Sequence, residues 1–133
     1  DFLDAVEEVK VTTALNTTSD SEIGTTEDTW DKFFIASLEQ EYCVPQLSGA
    51  EGAYWPYWKE RLGINSPQAS GTAAALTEHI RYSIESHTSA QYARLRSAYR
   101  GSASFAWTVS STGYVNYANA TYSTRFAPAC VIC

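Results

Sequence analysis

The chain has 133 residues, which fits one domain with room for a core that needs no disulfide staples. A net charge of −6 argues against nucleic acid as a bulk partner, and no apolar run reaches membrane-span length. Cys43, Cys130 and Cys133 are odd in number and do not make a disulfide framework.

Charge is unevenly spread. All fifteen acids lie at or before Glu85, and beyond Arg100 the one charged side chain is Arg125. The last third is chemically separate from the rest. The chain carries no signal-peptide pattern, and its start at Asp1 rather than Met reads as a trimmed chain or as the C-terminal piece of something longer.

In chain order, "DFLDAVEEVK" sets Phe2, Val6 and Val9 on one helical stripe with acids opposite, and predicts a short amphipathic helix. A Thr/Ser-rich loop or edge region follows. Residues 1–30 are thus an N-terminal helix and loop linking to a parent chain, and 31–133 the main domain. Asn16-Thr17-Thr18 and Asn119-Ala120-Thr121 match glycosylation sequons, which carry weight only in a secretory context. "DKFFIAS" reads as a buried strand. "SLEQEYCV" starts a helix, with Ser37 and Gln40 spaced as a capping box. A second helix begins near Pro56 and ends at Gly63. "AAALTEHIRYSIES" fits helix and strand equally.

From Gln91 the period becomes two. "QYARLRSAYR" alternates, and its arginines could bind an anion but are expected rather to pair with the plentiful acids elsewhere. "FAWTVS" puts Phe105, Trp107 and Val109 on one face. Ser111-Thr112-Gly113 reads as a hairpin turn with Gly in the left-handed position. Val115 then joins Trp107 and Val109 in the core, which sends Thr108, Ser110, Tyr114 and Asn116 to the open face. "RFAPACVIC" closes the sheet with a core strand of small buried cysteines. The expected class is α+β, helices followed by a C-terminal antiparallel sheet.

No catalytic or metal constellation emerges. There is no nucleophile elbow, no zinc-helix motif and no phosphate loop. The "CVIC" ending fits a prenylation box only loosely, and no second Cys or His pair completes a zinc site. Glu78, His79, Glu85 and His87 read as a solvated helix or loop. No cofactor is expected.

Ser102 to Thr124 contains no acid, Lys, Arg or Gln, and is rich in Tyr, Ser, Thr, Ala and Asn. Evolved binding loops use that alphabet, because Tyr gives large contact area at low entropy cost while Ser and Asn adapt their hydrogen bonds. An ordinary exposed β-face would read the same.

The pieces Leu95-Arg96-Ser97, Trp107 to Val115 and Arg125 to Ala129 resemble the C-type-lectin-fold domains of bacteria and their phages, several of which are variable proteins diversified by retroelements. "DKFFIASLEQEY" resembles the early strand-helix unit of that family, so the similarity covers about Asp31 to Cys133. Tyr92 and Ala93 stand where the family has an aromatic pair. The resemblance implies a C-type lectin fold and a hypervariable face mutagenised at asparagine-type codons. Ser102, Ser104, Phe105, Thr108, Ser110, Tyr114, Asn116, Tyr117, Ala118, Asn119, Tyr122 and Thr124 fit that rule.

The expected function is non-enzymatic recognition of a protein or other macromolecular ligand on a host or target surface. Display would be on a phage virion or a bacterial cell surface. Tyr114, Tyr117 and Tyr122 would form one exposed patch with Thr108, Ser110, Asn116 and Asn119. No membrane insertion is expected, and a homo-oligomer could arise through the parent. The alternatives are a fixed structural or assembly domain, or an enzyme of the formylglycine-generating type. The latter needs a reactive cysteine pair, and Cys130 and Cys133 on a strand would face opposite sides.

Overall fold

β-Branched residues decide the N-terminal segment. A 3-10 turn at Phe2–Asp4 is followed by strands β1 (Val6–Glu7) and β2 (Val9–Ala14), where the helical stripe predicted an amphipathic helix. Val9, Val11, Thr12 and Thr13 are stiff at χ1 and suit a pleated surface better than a helix. β2 pairs antiparallel with β3 (Thr26–Asp31), from Val9 opposite Asp31 to Ala14 opposite Thr26. The computed structural model describes residues 1–15, 25–45, 50–68, 77–83, 85–99, 102 and 104–132. Asn16 and Cys133 lie outside them.

Strand β4 (Phe34–Ile35) is short and half-buried. Helix α1 (Leu38–Tyr42) follows at once. Its capping box forms as the spacing predicts: Ser37 Oγ accepts from the Gln40 N–H at 3.1 Å, and Gln40 Oε1 accepts from the Ser37 N–H at 2.9 Å. The helix ends at Cys43, which is left-handed at φ +57°. Helix α2 (Pro56–Leu62) starts on its proline and ends at Gly63 with φ +67°, again as predicted. The undecided stretch contains a 3-10 turn at Thr77–His79 and β5 (Arg81–Tyr82), which pairs with β6 (Ala90–Gln91).

Strands β7 (Ala93–Ala98), β8 (Phe105–Val109), β9 (Val115–Asn119) and β10 (Arg125–Phe126) form the largest sheet, in the order β10-β7-β8-β9. β7, β8 and β9 are antiparallel neighbours, but β10 runs parallel to β7. β11 (Pro128–Ala129) pairs with β4, and β12 (Val131–Ile132) pairs with β1. Val131 and Ile132 are exposed, so the final stretch is not the core strand that its apolar residues predicted.

The fold class therefore needs correction. Among the described residues the chain is mostly β, in one four-stranded sheet and four two-stranded pairs, with two short α-helices placed between strands. Helices do not precede a C-terminal antiparallel sheet, and the expectation of a C-type lectin fold falls with that arrangement.

The core is made as the alternation predicts. Trp107, Val109 and Val115 pack in one cluster with Leu38, Tyr42, Val44 and Leu95. Full burial of each large apolar side chain contributes about 1.5–3 kcal/mol. Tyr42 joins the helix to the hairpin by donating its hydroxyl to Gly113 O at 2.7 Å, and burial holds the phenol protonated.

Beside this cluster sits a buried polar network. Glu51 is 1% exposed. Its carboxylate accepts from the Ala14 N–H at 3.0 Å and from the Ser97 hydroxyl. Ser97 Oγ in turn accepts from the Leu38 N–H at 2.9 Å. Arg96 donates to Glu51 O at 2.7 Å and to Ile35 O. Hairpin β2–β3, the start of α1 and strand β7 thus meet at one carboxylate.

His79 is wholly buried between the rings of Tyr42 and Trp58, each 4.2 Å away. Its Nε2 donates to Glu41 O at 2.7 Å, and its buried Nδ1 has no partner. Arg81 pairs with the buried Glu41 carboxylate at 2.7 Å. Burial lowers His79 to a pKa of about 4, and it raises Glu41 despite the Arg81 charge.

Two outcomes are expected. Glu51→Ala should cost about 3–5 kcal/mol, because it strands the buried Ala14 N–H and the Ser97 hydroxyl and removes the carboxylate beside the half-buried Arg96 charge. Glu51→Gln keeps one carbonyl acceptor and should lose less. Urea midpoints measure both, and a loss under about 1 kcal/mol for the alanine variant would remove the network from the account of stability.

The second concerns pH. Below pH 6.5 the unfolded chain protonates His79 while the folded chain does not, so this stabilisation is full above 6.5. It is lost as pH falls toward 4, by about 3 kcal/mol in all. Glu41 acts in the opposite sense, since its raised pKa favours the fold as pH falls. The difference between wild type and His79→Phe isolates the histidine: it should shrink steadily between pH 6.5 and 4, and a flat difference would contradict the assignment.

Candidate functional site

The hairpin that carries the predicted face is built around Ser110. Its N–H donates to Tyr114 O at 2.8 Å, and its carbonyl accepts from the Gly113 N–H at 3.0 Å. Its Oγ accepts from the Thr112 N–H at 3.3 Å and the Tyr114 N–H at 3.1 Å. Gly113 is left-handed at φ +79°, as the turn requires. Ser110 is consumed by the turn and is buried, which corrects its expected place on the open face.

Register then divides the predicted residues between two faces. Val109 faces Val115, Thr108 faces Asn116, Trp107 faces Tyr117, Ala106 faces Ala118 and Phe105 faces Asn119. Directly paired residues share a face, so Tyr117 belongs with Trp107 and not with Asn116. Its ring stacks on Tyr99 at 4.1 Å and meets Phe105 at 5.6 Å. Tyr117 is exposed, as expected, but at the end of the aromatic core, so register separates it from the face that carries Asn116.

Thr108 is also corrected. Its cross-strand partner in β7 is Arg94. The Arg94 guanidinium reaches Thr124 Oγ1 at 3.0 Å, Ala120 O and Tyr122 O at 3.1 Å, and Asn119 O at 3.4 Å. The chain between β9 and β10 passes from one edge of the sheet to the other, over this face. Thr108 is fully buried, and its hydroxyl finds no partner. The arginines of β7 therefore serve main-chain carbonyls, and the expected pairing with acids does not occur at Arg94.

The other predicted positions are spread around this frame. Ser104 is exposed and its carbonyl accepts from the Ala120 N–H at 2.7 Å, while Ser102 Oγ lies 3.1 Å from Ser104 Oγ. Phe105 is partly buried. Asn119 Oδ1 accepts from the N–H and hydroxyl of Thr121, and Asn116 Oδ1 from the Tyr117 N–H at 2.8 Å. Tyr114, Asn116 and Tyr122 are exposed, and Ala118 and Thr124 are half-buried.

Three of these line a surface trough. One basin, of about 500 Å³, is walled by Tyr92, Ala118, Tyr122, Ser123 and Thr124. A second, of about 430 Å³, shares Tyr92, Ser123 and Thr124 and adds Gln91 and Arg125. A third, of about 390 Å³, shares Gln91, Thr124 and Arg125 and continues to Tyr82 and Phe126. Tyr82, Tyr92, Tyr122 and Phe126 are exposed by 53, 47, 66 and 63%.

Sequence reading missed Tyr82, Gln91, Tyr92, Arg125 and Phe126. For Tyr92 a signal was present: the alternation of "QYARLRSAYR" puts it on the side of Arg94. Phe126 and Tyr82 sit in two-residue strands too short to show a period.

Among the described residues no group of three His, Cys, Asp or Glu side chains comes together. His79 is buried and His87 is exposed at a turn, left-handed at φ +53°. Cys43 and Cys130 are free thiols, and burial raises the pKa of Cys43.

A family profile described as "Domain of unknown function (DUF6273)" matches residues 1–133. The chain belongs to the DUF6273 family. No curated protein and no solved structure shows significant similarity to it. The match runs through β1 and β2 as well as the strands behind the trough, so the N-terminal thirty residues are part of this DUF6273 unit.

The trough depends on the clamp. Arg94→Ala is expected to free the 120–124 crossing, and hydrogen exchange at the Tyr122 amide, which donates to Asn119 O at 3.0 Å, should accelerate at least tenfold. Arg94→Lys, with one compact ammonium in place of a planar fork, should recover only part of the protection. Unchanged exchange in Arg94→Ala would mean that the crossing is held by something else.

Proposed function

We propose that this DUF6273 chain is a non-enzymatic recognition module that holds a protein ligand along the trough beneath Tyr92 and Tyr122. Display on a phage particle or bacterial surface is part of the same reading. The observation that carries it is the exposure of four large aromatics around hydroxyl and amide groups, one of them, Tyr122, on a crossing fixed from below by Arg94. Rings of that kind offer amphipathic area with few rotors to freeze, and contacts of this type commonly dominate binding energy.

The residues lining the three basins include no carboxylate, imidazole or thiol, so the trough offers no ordinary general base. Sequence resemblance in the last third supplies a further strand of support: Tyr114, Asn116, Ala118, Tyr122 and Thr124 fit a mutagenised asparagine alphabet and lie on or beside the trough side of the sheet. A reverse-transcriptase gene and a near-identical template repeat next to this gene would be the matching genomic observation.

The binding test uses a displayed library of random dodecapeptides, selected on the purified chain. Selected peptides should bind Tyr92→Ala/Tyr122→Ala at least thirtyfold more weakly. Melting should move little, since exposed substitutions usually stay within about 0.5 kcal/mol each. Peptides that bind this double variant as well as wild type would defeat the trough as the recognition surface.

A further inference from the structure

We infer that the occupant of the trough is an extended peptide segment carrying carboxylates, anchored by Arg125 and laid against the open edge of β10. This rests on the trough being the recognition surface and adds the chemistry of what it recognises.

The first ground is charge. The chain carries −6 overall, yet every acid lies at or before Glu85, and none lines the trough. Arg125 lines two adjoining basins and is exposed. Among the described residues no carboxylate lies within ion-pair reach of it. The second arginine at the trough, Arg81, is already held by Glu41 at 2.7 Å and by His79 O at 2.9 Å. One uncommitted guanidinium thus stands in a depression without acids, on a molecule of net charge −6. A guanidinium takes a carboxylate in a two-pronged, charge-assisted geometry.

The second ground is shape. β10 is an outer strand of the four-stranded sheet, paired on one side only, with β7. Such an edge presents unpaired backbone groups that an added strand can satisfy. By register Phe126 pairs with Arg94 and Arg125 with Ala93, so the edge offers an apolar station on one face and a cationic one on the other. An extended chain that alternates acidic and apolar residues matches both the edge and the stations. A saccharide could stack on the rings but would leave the strand edge unpaired.

The test uses three labelled dodecapeptides: six repeats each of Asp-Leu, Asn-Leu and Lys-Leu, followed by fluorescence anisotropy at low and moderate salt. Wild type should bind the Asp-Leu peptide at least tenfold more tightly than the Asn-Leu peptide, and the Lys-Leu peptide most weakly. The margin should narrow as salt rises. Arg125→Gln should erase the Asp-over-Asn margin without changing Asn-Leu binding, and Arg125→Lys should keep part of it. Three results would overturn the inference: equal binding of the Asp and Asn peptides, a margin that survives Arg125→Gln, or tighter binding of polygalacturonate than of any peptide. Absence of binding by all three peptides would overturn it as well. Each leaves the recognition reading standing if library-selected peptides still depend on Tyr92 and Tyr122.

Discussion

A single buried carboxylate holds the parts of this molecule together. Glu51 takes the last N–H of strand β2 on one oxygen and the Ser97 hydroxyl on the other. Ser97 passes the connection to the first N–H of α1. The helix and the sheet share the apolar cluster, but α1 is little more than one turn long and strand β2 adds none of its side chains to that cluster. Directional hydrogen bonds therefore set the relative placement that packing alone would leave loose. Gly52 shows how tight the arrangement is. At φ +112°, a Cβ there would stand 2.8 Å from Gln40 Nε2, so any side chain would press on the capping box next to the network.

The same sheet carries two arginines with related roles on β7. Arg96 gathers the carbonyls of Ile35 and Glu51 near the helix cap. Arg94 gathers those of Asn119, Ala120 and Tyr122 across the sheet. A guanidinium has five N–H donors, more than one carboxylate can absorb, and a cluster of main-chain carbonyls uses them without a counter-charge. This is why the last third can fold with almost no ionised side chains. Its tertiary order comes from backbone acceptors, and its surface stays free of acids.

Legibility in the sequence followed the range of the forces. Both helices could be read because their signals are local: a Ser37–Gln40 box, a leading proline, a terminal glycine. Trp107, Val109 and Val115 could be read because a tight turn preserves parity across five residues. Parity failed for Thr108 and Ser110 for different reasons. Ser110 is drawn into the turn by its own hydroxyl, while Thr108 is covered by a crossing chain that no local pattern announces. The N-terminal stripe misled because Phe2, Val6 and Val9 satisfy helical spacing while the β-branched run that follows finds a partner strand many residues away. Sheet order has the same character: the pairing of β1 with β12 and the parallel seat of β10 join segments distant in the chain, and no short pattern encodes them.

The trough gains a particular property from being clamped through carbonyls. The bonds from Arg94 to residues 119, 120 and 122 end on backbone oxygens, which are present whatever side chain those positions carry. Only the contact with Thr124 Oγ1 depends on a side chain. Ala118, Tyr122 and Ser123 can therefore change without loosening the crossing that presents them, whereas a change at Arg94 removes the support for all of them at once. Asn119 is the exception on the exposed side, because its Oδ1 shapes the bend at Thr121. A surface made this way separates the side chains it presents from the residue that supports it. The tyrosine, serine, threonine and alanine side chains of the crossing sit on a frame held from β7 by Arg94.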